Sequence, residues 1–244
     1  MAIIQHPSPN HGTRLLPVDM LLLHYTGMQT GSEALERLCD PEWGVSAHYL
    51  IEEDGQILQL VDERLRAHHA GESFWQGERD INSRSIGIEV VNPGHDWGYR
   101  PFPDVQVKAV IDLSKQIMAR HAIASKFVLG HSDVAPSRKA DPGELFPWGL
   151  LAASGIGIAP PDVGEGADVL VSLGDKNEAA KLAQALLGEI GYDSPATGLW
   201  SEHDALNMTA FQRHFYPKRL DGFVDTASLQ ALQKVAGAVK SFKR

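Results

Sequence analysis

His131 and Asp141 lie ten residues apart, in the stretches Gly130-His131-Ser132-Asp133-Val134-Ala135-Pro136 and Lys139-Ala140-Asp141-Pro142-Gly143. An imidazole, an ammonium and a carboxylate therefore follow closely on the apolar run Phe127-Val128-Leu129. A second imidazole, His24, closes another apolar run, Met20-Leu21-Leu22-Leu23. Two histidines and one carboxylate make a complete protein ligand set for a catalytic zinc, with the fourth tetrahedral position left to water. The chain has 11 histidines, so each one alone is by default an ordinary surface or core residue. The joint placement of these groups at the ends of buried strands is different, because loops at strand ends are where a rigid sheet presents catalytic groups. On spacing alone, a metal site and three unrelated side chains both remain open.

The elements that must position these groups read as mixed α/β over residues 1–151. Met20 to Tyr25 is a continuous apolar run and is expected as a buried strand. Ala47 to Glu53 and Gln56 to Val61 flank Asp54-Gly55, a hairpin signal. Ser85 to Val91 alternates about its centre and reads as a strand, and Phe127 to Gly130 as a short buried one. Between these two, Asp104 to His121 places Val107, Val110, Ile111, Ile117 and Met118 on one helical face. Strands separated by helices imply a sheet with helices packed on it.

After Trp148 the composition shifts. Residues 152–167 are rich in Gly, Pro and Ala and read as a linker. Residues 168–244 then take on helical patterning, with three expected helices. Leu182, Ala185, Leu186 and Ile190 form the inward face of the first, which ends at Gly191. Ala205, Met208, Phe211 and Phe215 lie in the second; Thr226 caps the third, with Leu229, Leu232 and Val235 inward. The fold expected is thus a mixed central β-sheet flanked by helices, plus a small C-terminal three-helix bundle.

Bulk properties narrow the function. The net charge of −9 disfavours nucleic acid or an anionic membrane as partner. No apolar run reaches the ~18 residues of a membrane span. Cys39 is the single cysteine, so no intrachain disulfide exists; it reads as a packed helix residue. The start Met1-Ala2-Ile3-Ile4-Gln5-His6-Pro7 lacks a basic, apolar leader, which leads to a cytoplasmic expectation. The periplasm or outer membrane is the expectation if a signal or lipoprotein segment once preceded it.

Six motifs occur in order: Leu22-Leu23-His24-Tyr25-Thr26, Ser46-Ala47-His48-Tyr49-Leu50-Ile51, His69-Ala70-Gly71, Asn82-Ser83-Arg84-Ser85-Ile86-Gly87-Ile88-Glu89, and the two stretches around His131 and Asp141. The set resembles the zinc-dependent N-acetylmuramoyl-L-alanine amidases of the amidase-2 type, the AmpD/AmiD group, related to phage amidases and animal peptidoglycan recognition proteins. Pro7-Ser8-Pro9-Asn10 followed by Arg14 also matches that group's entry segment. The resemblance covers residues 5–150.

It implies zinc ligands His24, His131 and Asp141, the same three that the residues single out. It further implies Glu89 as catalytic acid/base and Lys139 as electrostatic partner of the oxyanion. Taken alone, Glu89 reads as an outward-facing strand residue and Lys139 as a solvated loop lysine; Arg138 beside it is expected to matter less. His48, His69 and Asn92 are candidate substrate contacts, each with a structural alternative. Trp75 reads either as part of a substrate-facing wall or as a loop anchor. The remaining histidines, His214 among them, read as ordinary.

The C-terminal segments Gly191-Tyr192, Met208 to Phe215 and Asp221 to Thr226 resemble a small three-helix peptidoglycan-binding domain. The function implied is hydrolysis of the amide between N-acetylmuramic acid, or its 1,6-anhydro form, and L-alanine of the stem peptide. Peptidoglycan fragments are then the partners and Zn2+ the cofactor. The alternatives are a non-catalytic peptidoglycan receptor and a zinc peptidase cutting within the stem peptide.

Overall fold

The computed structural model describes residues 3–166 and 168–242. Its centre is a six-stranded mixed sheet in the order β1-β5-β4-β7-β3-β8. These strands are β1 Ile3–Gln5, β3 Met20–Tyr25, β4 Tyr49–Ile51, β5 Ile57–Gln59, β7 Ser85–Val90 and β8 Val128–Gly130. β4 and β5 form the antiparallel hairpin; β4, β7, β3 and β8 run parallel. Gly55, at φ +83, provides the left-handed turn residue between the hairpin strands. A two-stranded ribbon pairs β2 (His11–Thr13) with β6 (Leu65–Ala67).

Side-chain alternation decides what the two faces of the sheet carry. Leu21, Leu23, Ile86, Ile88, Val90 and Val128 point to one face. There they meet Val107, Val110, Leu113 and Ile117 of α3 (Asp104–His121). The opposite phase of the same strands, Met20, Leu22 and Leu129, faces the other side. His24 continues the phase of Met20 and Leu22, and Glu89 that of Ser85 and Gly87. β3 and β7 are in register with His24 opposite Glu89, so these two groups share one face of the sheet on adjacent strands.

Four further α-helices lie before residue 154: α1 (Gly31–Cys39), α2 (Ile81–Arg84), the one-turn α4 (His131–Val134) and α5 (Trp148–Ala153). Thr30 caps α1 with a full capping box to Glu33. The C-terminal part contributes β9 (Val169–Val171), α6 (Glu178–Ile190), α7 (Glu202–Phe215), β10 (Val224–Asp225) and α8 (Thr226–Ser241). One apolar cluster joins Met20, Leu22, Trp75, Ile81 and Leu129 to Leu187, Tyr192, Phe211, Phe215 and Val235. The helices beyond residue 168 thus pack on the second face of the sheet. Between α5 and β9, Ile156 and Val163 are buried.

Two local expectations are corrected. α6 buries Ala180, Ala183, Gln184, Leu187 and Ile190, whereas Leu182 points outward at 43% exposure. Gln184 belongs inside because it accepts from the Gly198 N–H and donates to the Leu199 carbonyl. The cap of α8 is Asp225, which accepts from the Ser228 N–H, and Thr226 is the first helical residue. Of the two readings of Trp75, the structure bears out the loop anchor: it is 1% exposed, packs edge-on against Tyr192 and lays its indole ring against the Gly191 backbone.

Candidate active site

His24 is the last residue but one of β3, β8 runs directly into His131 at the start of α4, and Asp141 follows on the loop beyond α4. The three are 1%, 4% and 5% exposed. His24 Nδ1, His131 Nδ1 and Asp141 Oδ2 form a triangle with every side 3.0 Å. Donors about 2.0–2.1 Å from a shared tetrahedral centre lie about 3.3 Å apart, so the triangle fits such a centre within a few tenths of an ångström. Among the described residues this is the group of histidines and carboxylates able to hold a metal ion.

The outer hydrogen bonds orient the donors inward. His131 Nε2–H donates to the Ala70 carbonyl at 3.0 Å, which leaves its Nδ1 with a lone pair toward the centre. His24 Nε2–H donates to His69 Nδ1 at 3.0 Å. His69 Nε2–H in turn reaches Ser85 Oγ at 3.3 Å, and the Ser85 hydroxyl donates to the Ile81 carbonyl at 2.6 Å. Proton after proton points away from the triangle, so three acceptors face one another. Such an arrangement is repulsive unless a cation lies between them. A proton in the middle would require a charged imidazole, and burial beside His131 pushes His24 down to about 4. Burial opposes ionisation of Asp141 as well, but the facing His131 and His24 hold it well below the usual carboxylate range.

Asn82 supports this scaffold by accepting from the His69 and Ala70 N–H groups. Gly87 makes room for the His69 ring: a Cβ there would lie 2.5 Å from Nδ1. His69 is held well below its ordinary pKa by burial and by the neighbouring histidines.

Glu89 is half-buried and borders the cleft, and its Oε2 is buried without a hydrogen-bond partner. Burial, then the Asp141 carboxylate, push its pKa well above the usual value, against the opposing charge of Lys139. A carboxyl kept basic beside a cleft suits proton transfer near neutral pH. Lys139 is half-buried and lines the same cleft of about 530 Å³, together with His69, His131 and Asp141.

Two other candidates lie elsewhere. His48 is fully buried; its Nδ1 accepts from the Gly87 N–H and its Nε2 lies 3.2 Å from the Leu65 carbonyl. Burial and the Arg14 charge push it down to about 3. Asn92 is 1% exposed, donates to the Arg100 carbonyl and accepts from the Gly94 N–H; it holds a loop rather than lining the cleft. Arg138 lines the cleft but donates to the Ala70 and Glu72 carbonyls, bracing the backbone under His131.

Several cleft residues escaped the sequence reading. Trp43 is 57% exposed on the rim, with the Arg37 guanidinium 3.8 Å above its ring. His68 lines the same cleft, as does His95, which pairs with Tyr25 and Glu144. No local spacing marks these residues, because they come together from separate loops.

Residues 14–144 match the family model described as N-acetylmuramoyl-L-alanine amidase, Amidase_2, and the chain belongs to that family. It is 38% identical over 229 residues to the N-acetylmuramoyl-L-alanine amidase AmiD of Escherichia coli, covering 88% of this chain and 80% of that one. It is 41% identical over 105 residues to the 1,6-anhydro-N-acetylmuramyl-L-alanine amidase AmpD of Haemophilus influenzae, covering 43% of this chain and 55% of that one. The structure resembles that of E. coli AmiD in complex with the substrate anhydro-N-acetylmuramic acid-L-Ala-D-gamma-Glu-L-Lys. The TM-score is 0.75 at 34% identity, over 94% of this chain and 92% of that one. AmpDh3 of Pseudomonas aeruginosa gives 0.72 at 29% identity, over 96% and 95%.

Proposed function

We propose that this N-acetylmuramoyl-L-alanine amidase is a zinc enzyme. His24, His131 and Asp141 would hold the ion, Glu89 would move the proton and Lys139 would stabilise the oxyanion. The observation that carries this reading is the buried triangle of three inward-facing acceptors 3.0 Å apart, with an unpartnered carboxylate on the adjacent strand. Zinc bound there supplies Lewis acidity toward an amide carbonyl and toward water at neutral pH.

The chain's own groups account for the other requirements. Glu89, kept basic by burial, accepts a proton from the attacking water and returns it to the leaving L-alanine nitrogen. Lys139 places a cation at the cleft where negative charge develops on the carbonyl oxygen. His69, Ser85 and Asn82 hold the ligands in orientation; Ser85 and Asn82 lie behind them, while His69 also borders the cleft.

The substrates proposed are muropeptides with N-acetylmuramic acid or its 1,6-anhydro form. This rests on the family and on the likeness to an amidase solved with an anhydromuramyl peptide. We further read residues 168–244 as a helical module of the peptidoglycan-binding type, following residues 1–151 and the connecting segment 152–167. Its support is the three helices α6, α7 and α8 and the extension of the AmiD likeness across them.

Product analysis by mass spectrometry tests the reading. An anhydro-muropeptide and its ordinary counterpart are each incubated with zinc-loaded and with chelated enzyme. Release of an L-Ala-headed peptide only with metal is expected. Cleavage inside the stem peptide would point to a peptidase. No cleavage by zinc-loaded protein would point to a receptor.

A further inference from the structure

α7 reaches across the fold to the loop that carries His131. Asp133, in the one-turn helix α4, is 1% exposed. Its Oδ1 accepts from the Tyr192 hydroxyl at 2.6 Å. Its Oδ2 accepts from His214 Nδ1–H at 2.7 Å and from the Gly130 N–H at 2.8 Å. Two of these three donors come from the C-terminal part, 59 and 81 residues away in sequence. The His214 ring lies between Trp148, 3.7 Å away at 21°, and Phe215, 3.8 Å away at 6°. This stack fixes the imidazole plane, and with it the direction of the Nδ1–H bond.

The backbone is tied down on both sides of His131, on one of them by Asp133 itself. Gly130, just before it, is tied to Asp133. Ser132, just after it, donates its N–H to the Asp141 carbonyl at 2.9 Å. A buried carboxylate stays in place only while its donors are present, because an unsatisfied buried charge is costly. We infer that His214 and Tyr192 are positioning residues of the metal centre: through Asp133 they hold α4 so that His131 presents Nδ1 to the ion. The C-terminal helices are then part of the metal site's support, whatever else they bind. This inference rests on the zinc reading above.

The test uses the full chain. Zinc affinity is measured by competition with a chromophoric chelator for the unaltered protein, His214→Phe, His214→Asn and Tyr192→Phe. Circular dichroism and thermal unfolding are followed in parallel. His214→Phe keeps an aromatic ring in the stack and removes the donor, so zinc affinity is expected to fall roughly 10- to 100-fold, as for other outer partners of metal ligands. His214→Asn restores an N–H at the Nδ1 position and is expected to recover most of that loss. Tyr192→Phe deletes a single hydroxyl with almost no change of shape and is expected to weaken zinc binding in the same direction. It also serves as the readout if His214→Phe does not fold.

With zinc saturating, KM for a muropeptide is expected to stay within about twofold of the unaltered value, because neither residue lines the cleft. Folded variants that match a zinc-binding parent would overturn the inference, as would an Asn variant no better than Phe. A parent that takes up no zinc would instead overturn the zinc reading, and the positioning role with it.

Discussion

Glu89→Gln should separate catalysis from stability. The substitution keeps the shape of the side chain and removes its ability to accept and return a proton. If Glu89 is the acid/base, kcat/KM falls by about 10²- to 10⁴-fold, or about 3–5.5 kcal/mol in barrier. The fold should gain from the same change. Glu89 Oε2 is buried without a partner, and the Asp141 carboxylate faces it, so ionising Glu89 works against folding. Relieving a buried, unsatisfied charged group is worth about 1–3 kcal/mol. For a chain of this size, 2 kcal/mol corresponds to a rise in Tm of about 4–8 °C.

The sign with pH follows from the raised folded pKa. The cost of ionisation is absent below the unfolded value of about 4.3, grows as pH rises, and is complete above the folded pKa. The variant's advantage in metal-free protein is therefore expected at pH 7 and lost near pH 4. Zinc loading should shrink it, since a dication offsets the charge of Asp141. The assays are steady-state kinetics on a defined muropeptide and calorimetric unfolding across pH, with and without zinc. Near-normal turnover would refute the acid/base role; a lower Tm at pH 7 in metal-free protein would refute the electrostatic account of Glu89.

Gly87→Ala should act on the metal centre from behind. Its Cβ would lie 2.5 Å from His69 Nδ1, so the ring must move and His24 Nε2–H loses its acceptor. Zinc affinity measured by chelator competition should drop roughly 10- to 100-fold. His131→Ala should lower zinc content measured by elemental analysis, and a fully loaded variant would remove His131 from the ligand set. Glu63→Gln probes stability away from the cleft. Glu63 is 12% exposed in its side chain. Partial burial opposes its ionisation, but Arg120, Tyr49 and His121 hold it down to about 2. Its contribution is complete above the unfolded value and is lost as pH falls through about 2. The variant should be less stable by about 2–3 kcal/mol at pH 7, with the deficit closing between about pH 4.5 and pH 2 in denaturant titrations.

Much of the first half of the chain was legible locally. The apolar run from Met20 predicts a strand that the structure places at Met20–Tyr25, and the 3.6-residue pattern predicts the helix Asp104–His121. Period-two and period-3.6 patterns are short-range properties, and burial of one face enforces them wherever the partner lies. Side-chain alternation even carries the placement of His24 and Glu89 on one face, once β3 and β7 are known to be neighbours in register. That adjacency is not local, and it decides between an outward Glu89 and one that borders the cleft.

The C-terminal part shows the limit more sharply. Its helices were readable from their spacing, but α6 turns Ala183 and Gln184 inward and Leu182 outward. Hydropathy favours leucine at the core; the hydrogen bonds of Gln184 to a loop 14 and 15 residues on reverse that choice. His214 and Asp133 carry no shared motif, and each alone is an ordinary residue of its segment. They become a buried pair because the apolar faces of α7 and of the sheet meet in one core. Residue types and local periods were determined by the sequence itself. Which face meets which, and therefore which polar groups end up buried together, was decided by long-range packing.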